Sequence, residues 1–256
     1  MYVLYSCLVT FLSLARRISI MGFMTALVCV LTMTFQLYIY ETHGYFNFGE
    51  IGVYISALLF GPIVGGVAGG LGSALADIFT GYFWYAPGTL VIKGLEGFIV
   101  GLLNCLFRRF RFKRDFKSLV LFSSITILIF LSFMYMGLMY YSGPSEIYFG
   151  IPNFGYSSLS FSLPNIFWIF SSVFVFILFI YVYVRIDVRY FASALSCIIG
   201  GLTMILGYFL YEFYVLSYGW AALIEVPFNF MQMLIGLIVS SIVYVGIEKR
   251  GVFIGG

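Results

Sequence analysis

The stretch GYFNFGEIGVYISALLFGPIVGGVAGGLGSALADIFTGYFWYAPGTLVIKGLEGFIVGLL, residues 44–103, decides the fold. It is almost wholly apolar and dense in glycine, yet it carries Glu50, Asp77, Lys93 and Glu96. A charged side chain at the middle of a bilayer costs about 2.5–3.5 kcal/mol or more. Each of these four therefore needs a partner or a task.

The rest of the chain has the same character. Of its 256 residues 62% are hydrophobic and 9% are charged, where soluble domains carry roughly 25% charged residues. The apolar runs are long and continuous rather than alternating, which points to helices and not to a membrane barrel. The fold class read from this is an all-α integral membrane protein.

Topology follows from the cations. Twelve of the 13 basic residues fall into four groups: Arg16 and Arg17; the cluster from Arg108 to Lys117; Arg185 and Arg189; Lys249 and Arg250. Basic residues collect on the cytoplasmic side of membrane helices. If all four groups lie there, each interval between them holds an even number of crossings. Residues 18–107 have room for about four, 118–184 for about two and 190–247 for about two. The expectation is about eight transmembrane helices in the cell membrane with both termini cytoplasmic.

Within 44–103 the glycines give detail. Gly65, Gly69 and Ser73 are spaced by four, as are Gly66, Gly70 and Ala74. Such small-residue faces allow close helix packing. Residues 49–82 must hold two short helices, and Gly61-Pro62 marks the end of the first. The aromatic turn at 82–87 reads either as an interfacial belt or as a wall for a planar ligand. Lys93 and Glu96, three apart, share a helix face and suit an ion pair. Asp77 is a second possible partner for Lys93.

Near the C-terminus, Glu225, Asn229 and Gln232 stand at i, i+4 and i+7, hence on one face of a helix. Glu212 lies at the same depth. Buried polar side chains in such a stripe require hydrogen-bond partners. Asn47, Glu50 and Tyr85 belong to the same outer region. Apolar walls with a few convergent polar groups are the usual make-up of a small-molecule pocket.

Several classes are excluded. The chain has no GxxxxGK[ST] phosphate loop and no HExxH, so no ATPase or zincin chemistry is encoded. Its cysteines, Cys7, Cys29, Cys105 and Cys197, lack metal-ligand spacing and read as buried small hydrophobes. Neither a metal nor a cofactor is expected, and no nucleic-acid partner. Binding rather than bond chemistry is the expected activity.

The run NFGEIGVYISALLFGPIVGGVAGGLGSALADIFTGYFWYAPGTLVIKGLEGFIVG, followed later by GYFLYE and EVPFNFMQMLIG, resembles the S components of energy-coupling factor (ECF) vitamin transporters, riboflavin-type branch. The likeness spans helix 1 to about residue 106 and again 191–247. It implies a six-helix subunit that binds a vitamin at its outer face and docks through helix 1 onto a transmembrane coupling protein driven by two ATPase subunits. Gly22 and Ala26 would occupy the docking face. On this reading 1–17 is a lead-in and 18–107 holds helices 1–4. Residues 108–189 are a basic cytoplasmic loop plus an inserted helical pair, and 190–256 hold the last two bundle helices and the tail. The expected substrate-binding residues are Asn47, Glu50, Asp77, Tyr85, Lys93, Glu212, Glu225, Asn229 and Gln232. The alternative is a stand-alone, ion-coupled secondary transporter using Asp77, Lys93 and Glu96 as a relay.

Overall fold

Gly61 and Pro62 set the architecture. Gly61 has φ 82 and ψ −173, a conformation essentially confined to glycine. Pro62 cannot donate to the preceding turn. The computed structural model describes residues 14–39, 42–109, 143–151, 155–185 and 188–250, with some positions between 120 and 139. In it, the helical stretch α2 (Gly49–Thr80) breaks at Gly61 into arms at 49–60 and 62–80. The arms fold back on each other. A methyl group built on Gly65 would stand 2.7 Å from the Ala57 methyl, and one on Gly69 would stand 3.1 Å from Val53. These are the two short helices expected between 49 and 82.

The other helices are α1 (Leu14–Thr34), α3 (Ala86–Arg109), α4 (Asn165–Arg185), α5 (Val188–Leu210) and α6 (Val226–Lys249). Glycines let them approach. A methyl on Gly72 would meet the Thr25 carbonyl at 2.7 Å, so α1 lies against the second arm of α2. One on Gly70 would meet the Leu90 carbonyl at 2.6 Å and one on Gly101 would meet Pro62 at 2.5 Å, so α3 runs back along that arm. Gly207 faces Ile92, Gly201 faces Met233 and Gly236 faces Glu50, which seats α5 on α3 and α6 between α5 and the first arm. Among the described residues, five helical stretches are long and apolar enough to cross a membrane. The described positions between 120 and 139 are helical. Most of the lead-in, the basic loop at 110–119 and the tail at 251–256 lie outside the described residues.

One end of the bundle is basic. There Arg108 donates to Glu248 at 2.6 Å and to the Tyr244 hydroxyl. The opposite end carries strands the sequence reading did not contain. α1 ends at Thr34. The chain then forms β1 (Leu37–Ile39) and β2 (Gly44–Phe46). Within the stretch read as the inserted helical pair lies a hairpin of β3 (Gly143–Ile151) and β4 (Gly155–Leu163). All four form one antiparallel sheet in the order β2-β1-β3-β4, with Leu37 opposite both Phe46 and Phe149. Polar backbone at a bundle end thereby finds partners without helix.

Cys29 and Cys197 are buried free thiols, as small hydrophobes would be. Cys105 is disulfide-bonded, which corrects that reading for this residue.

Candidate vitamin-binding site

The site grows from Lys93, two turns into α3. Its ammonium is buried and bonds Glu50, in the first turn of α2, and Glu96, 3.2 Å away on its own helix. Tyr54 donates its hydroxyl to Glu96 at 2.9 Å. The local pairing of Lys93 with Glu96 was legible from spacing. The pairing with Glu50 crosses from α3 to α2 and was not. Asp77 is not the partner of Lys93. Its carboxylate accepts instead from the Tyr45 hydroxyl at 2.5 Å.

The polar stripe of α6 faces the same volume. Gln232 accepts from the Asn47 backbone N–H at 2.5 Å and donates to Asn229 at 3.1 Å. Its amide nitrogen also lies 3.5 Å from Glu50. Asn47, just ahead of α2, accepts from the Gly49 N–H two residues on at 2.8 Å, an Asx-type turn into the helix. One stripe thus ties the strand hairpin, the start of α2 and the ion cluster together.

Above them sits a roof made by β2 and the turn before it. The Tyr85 hydroxyl reaches the Thr42 carbonyl at 2.9 Å and Glu225 at 3.2 Å, and Thr42 also donates to Glu225. Burial, and then the Glu225 and Glu212 carboxylates, push the Tyr85 phenol far above its ordinary value. Burial and then Asp77 do the same for Tyr45. Both phenols therefore stay protonated and act as donors. In the aromatic turn Tyr82 and Tyr85 are buried, whereas Phe83 and Trp84 are exposed. The rings of Tyr82 and Tyr45 lie 4.3 Å apart.

Seven of the nine expected site residues line one cavity: Asn47, Asp77, Tyr85, Lys93, Glu225, Asn229 and Gln232. Glu50 stands behind Lys93. Glu212 lies in a π-helical turn, Tyr211–Val215, that follows α5 and is fully buried. Among the described residues neither of its buried carboxylate oxygens has a hydrogen-bond donor in reach. Thr32, Ser73, Thr89 and Tyr208 also line the cavity and were missed. Thr32, Thr89 and Tyr208 are single hydroxyls in apolar helices with no readable spacing, and Ser73 was legible only as a small residue on the glycine face. Tyr208 donates to Thr89 at 3.1 Å, and its ring lies 5.7 Å from the Lys93 ammonium.

The cavity is narrow. The space between its walls is about 20 Å³, room for roughly one water. A vitamin needs several hundred cubic ångströms by the usual size of small-molecule sites. A ligand of that size would enter only with the roof lifted or the helix ends parted.

Gly22 and Ala26 lie far from this site, on the exposed face of α1. Among the described residues nothing stands within 4 Å of a methyl group built on Gly22.

Residues 13–152 match the family described as ECF-type riboflavin transporter, S component. A protein of Pyrococcus woesei, described as an uncharacterized protein in a gap 3′ region, is 57% identical over 74 residues. That alignment covers 29% of this chain and 49% of the relative, so the chain spans about half the length of that curated relative. The family consists of transporter subunits that bind a vitamin and work with ECF partners; they are not enzymes. With more than half of its length matched and a multi-pass helical bundle enclosing a polar cavity, the chain belongs to the ECF-type riboflavin transporter S component family.

Proposed function

We propose that this chain captures riboflavin in the cavity under the β1–β2 roof and delivers it inward together with a transmembrane coupling protein and two ATPase subunits. The observation that carries the reading is the cavity itself. Amides, phenols and carboxylates converge there from α2, α3 and α6 inside an otherwise apolar bundle. Riboflavin would offer a ring imide and ribityl hydroxyls to such partners and a flat face to Tyr45 and Tyr208, which line the cavity. The nine residues from Asn47 to Gln232 named above are the proposed binding set, with Glu50 and Glu212 acting from behind the wall.

In this reading the roof faces outward and the basic end faces the cytoplasm of the cell membrane, with both termini inside. The count is eight crossings, six of the bundle and two of the inserted pair within 108–189. The exposed Gly22 and Ala26 face of α1 is the docking surface for the coupling protein. The stand-alone carrier reading loses ground because Lys93 is held by two carboxylates on the cavity floor.

The test is the ligand that co-purifies with the detergent-solubilised chain, read by absorbance and mass spectrometry. A flavin at near-stoichiometric level is expected. A chain that carries no vitamin and gains no thermal stability from added riboflavin would overturn the proposal.

A further inference from the structure

The π-helical turn Tyr211–Val215 places Glu212 inside the bundle end. A π turn takes one residue more than an α turn and is frequent at functional sites. The Glu212 carboxylate is fully buried, and among the described residues no donor reaches either of its oxygens. It faces the side chain of Glu225, which is 5% exposed at the start of α6. Two acceptor-only groups thus meet out of water, where a charge is kept only with a counter-charge.

The oxygens around the pair are hard donors. The Tyr85 and Thr42 hydroxyls both lie on Oε1 of Glu225, so Oε2 takes neither. A methyl group built on Gly88 would stand 2.6 Å from the Tyr211 ring, and the Tyr211 hydroxyl donates to the Trp84 carbonyl at 2.7 Å. These contacts fix the π turn against the turn that carries Tyr85. Burial, and then Glu225 and Glu212, raise the phenols of both Tyr85 and Tyr218, so both carboxylates act on both rings.

Among the described residues no cation of the chain balances the pair. Lys93 is engaged by Glu50 and Glu96. Every other Lys and Arg belongs to the four basic groups. Lys249 closes α6 and stands about 36 Å along the helix from Glu225 at 1.5 Å per residue. The single histidine, His43, bonds the Tyr38 hydroxyl.

We propose that Glu212 and Glu225 bind a calcium-like divalent cation that pins the start of α6 to the π turn. Oxygen-only donors select hard cations. A monovalent ion leaves one of the two buried charges unbalanced; a divalent ion balances both. Magnesium keeps several waters in a strict octahedron, whereas calcium takes carboxylates one- or two-handed in irregular shells. A dry pair of carboxylates beside hydroxyl oxygens suits calcium. Because Glu225 also holds Tyr85 and Thr42, the ion would brace the anchor of the roof. The proposal does not depend on which molecule the cavity holds.

The detergent-solubilised full chain is stripped with a chelator and titrated with calcium, magnesium or sodium chloride at constant ionic strength. With only two carboxylates, the expected calcium dissociation constant is on the order of 0.1–1 mM, with magnesium weaker by roughly tenfold or more. Calcium is expected to raise the unfolding temperature. Terbium, a hard ion that luminesces when excited through nearby tyrosine, is expected to bind and to be displaced by calcium. Glu212→Gln removes a charge whose oxygens accept no hydrogen bond among the described residues. It is expected to lose the calcium response and, in chelator, to unfold no lower than the unaltered chain. No calcium or terbium response in the unaltered chain, or an equal response in Glu212→Gln, overturns the proposal. Should the variant not fold, terbium displacement on the unaltered chain decides. A stability that falls from mildly acid to alkaline pH regardless of calcium also overturns it, because the two carboxyls then share a proton and not a metal ion.

Discussion

Lys93 is the residue on which the interior depends. It is 2% exposed, and its two carboxylate partners are 1% and 0% exposed. A buried ion group of this kind is held by balance. Removing one partner leaves an uncompensated charge and costs about 3–5 kcal/mol, whereas replacing a whole pair costs far less. Lys93→Met strands both Glu50 and Glu96. Glu96→Gln leaves Lys93 with Glu50 and leaves Tyr54 an acceptor. Thermal unfolding of the purified chain should therefore show a loss of about 3–5 kcal/mol for Lys93→Met and a clearly smaller one for Glu96→Gln. Equal losses would mean that the ammonium is not the centre of the group. The sequence made half of this cluster legible. Residues three apart on a helix are neighbours by geometry, so Glu96 could be named as the partner. Glu50 lies 43 positions away, and nothing in its local sequence distinguishes it from Asp77, which the fold turns toward Tyr45 instead.

At the level of elements, the legible features were those fixed by backbone chemistry nearby. The Gly61-Pro62 break needs no distant partner, and the small-residue spacing of 65–74 already implies close packing on both faces. The strands were hidden for the opposite reason. The run at 35–40 is apolar and reads as more helix. It becomes β1 only because β2 follows a turn and because β3, more than a hundred residues later, pairs with it. Tyr38 faces Tyr45 on one side and Tyr148 on the other. Since β2 roofs the cavity and β1 joins β2 to the 143–163 hairpin, lifting the roof means breaking the β1–β3 ladder or carrying the hairpin along. Phe149→Pro removes a ladder N–H opposite Leu37. In hydrogen-exchange mass spectrometry this variant should lose protection at 37–39, and riboflavin should dissociate faster than from the unaltered chain. Unchanged exchange at 37–39 would show that the hairpin does not hold the roof.

For the molecule as a whole, the telling residue is a glycine with no internal reason to be one. Glycine in a helix interior costs roughly 1 kcal/mol relative to alanine. In α2 and α3 that cost is offset by close approach: Gly65, Gly69 and Gly101 each meet a neighbouring backbone. Gly22 meets nothing, and it lies with Ala26 and Val30 on an exposed face of α1. Ile18, Phe23 and Val30 are 56%, 67% and 60% exposed beside it. Helices in a membrane associate where small residues let backbones touch, and the docking proposal supplies such a contact for Gly22 with the coupling protein. Gly22→Leu should then leave the riboflavin affinity unchanged and the thermal stability equal or slightly higher, because leucine is the better helix former. In cells supplying the coupling protein and ATPases, the same variant should lose uptake by tenfold or more, since a side chain now stands between two helices that need contact. Full uptake with normal binding would remove α1 as the docking surface. A fall in thermal stability would instead place an internal contact at Gly22 that the bundle does not contain.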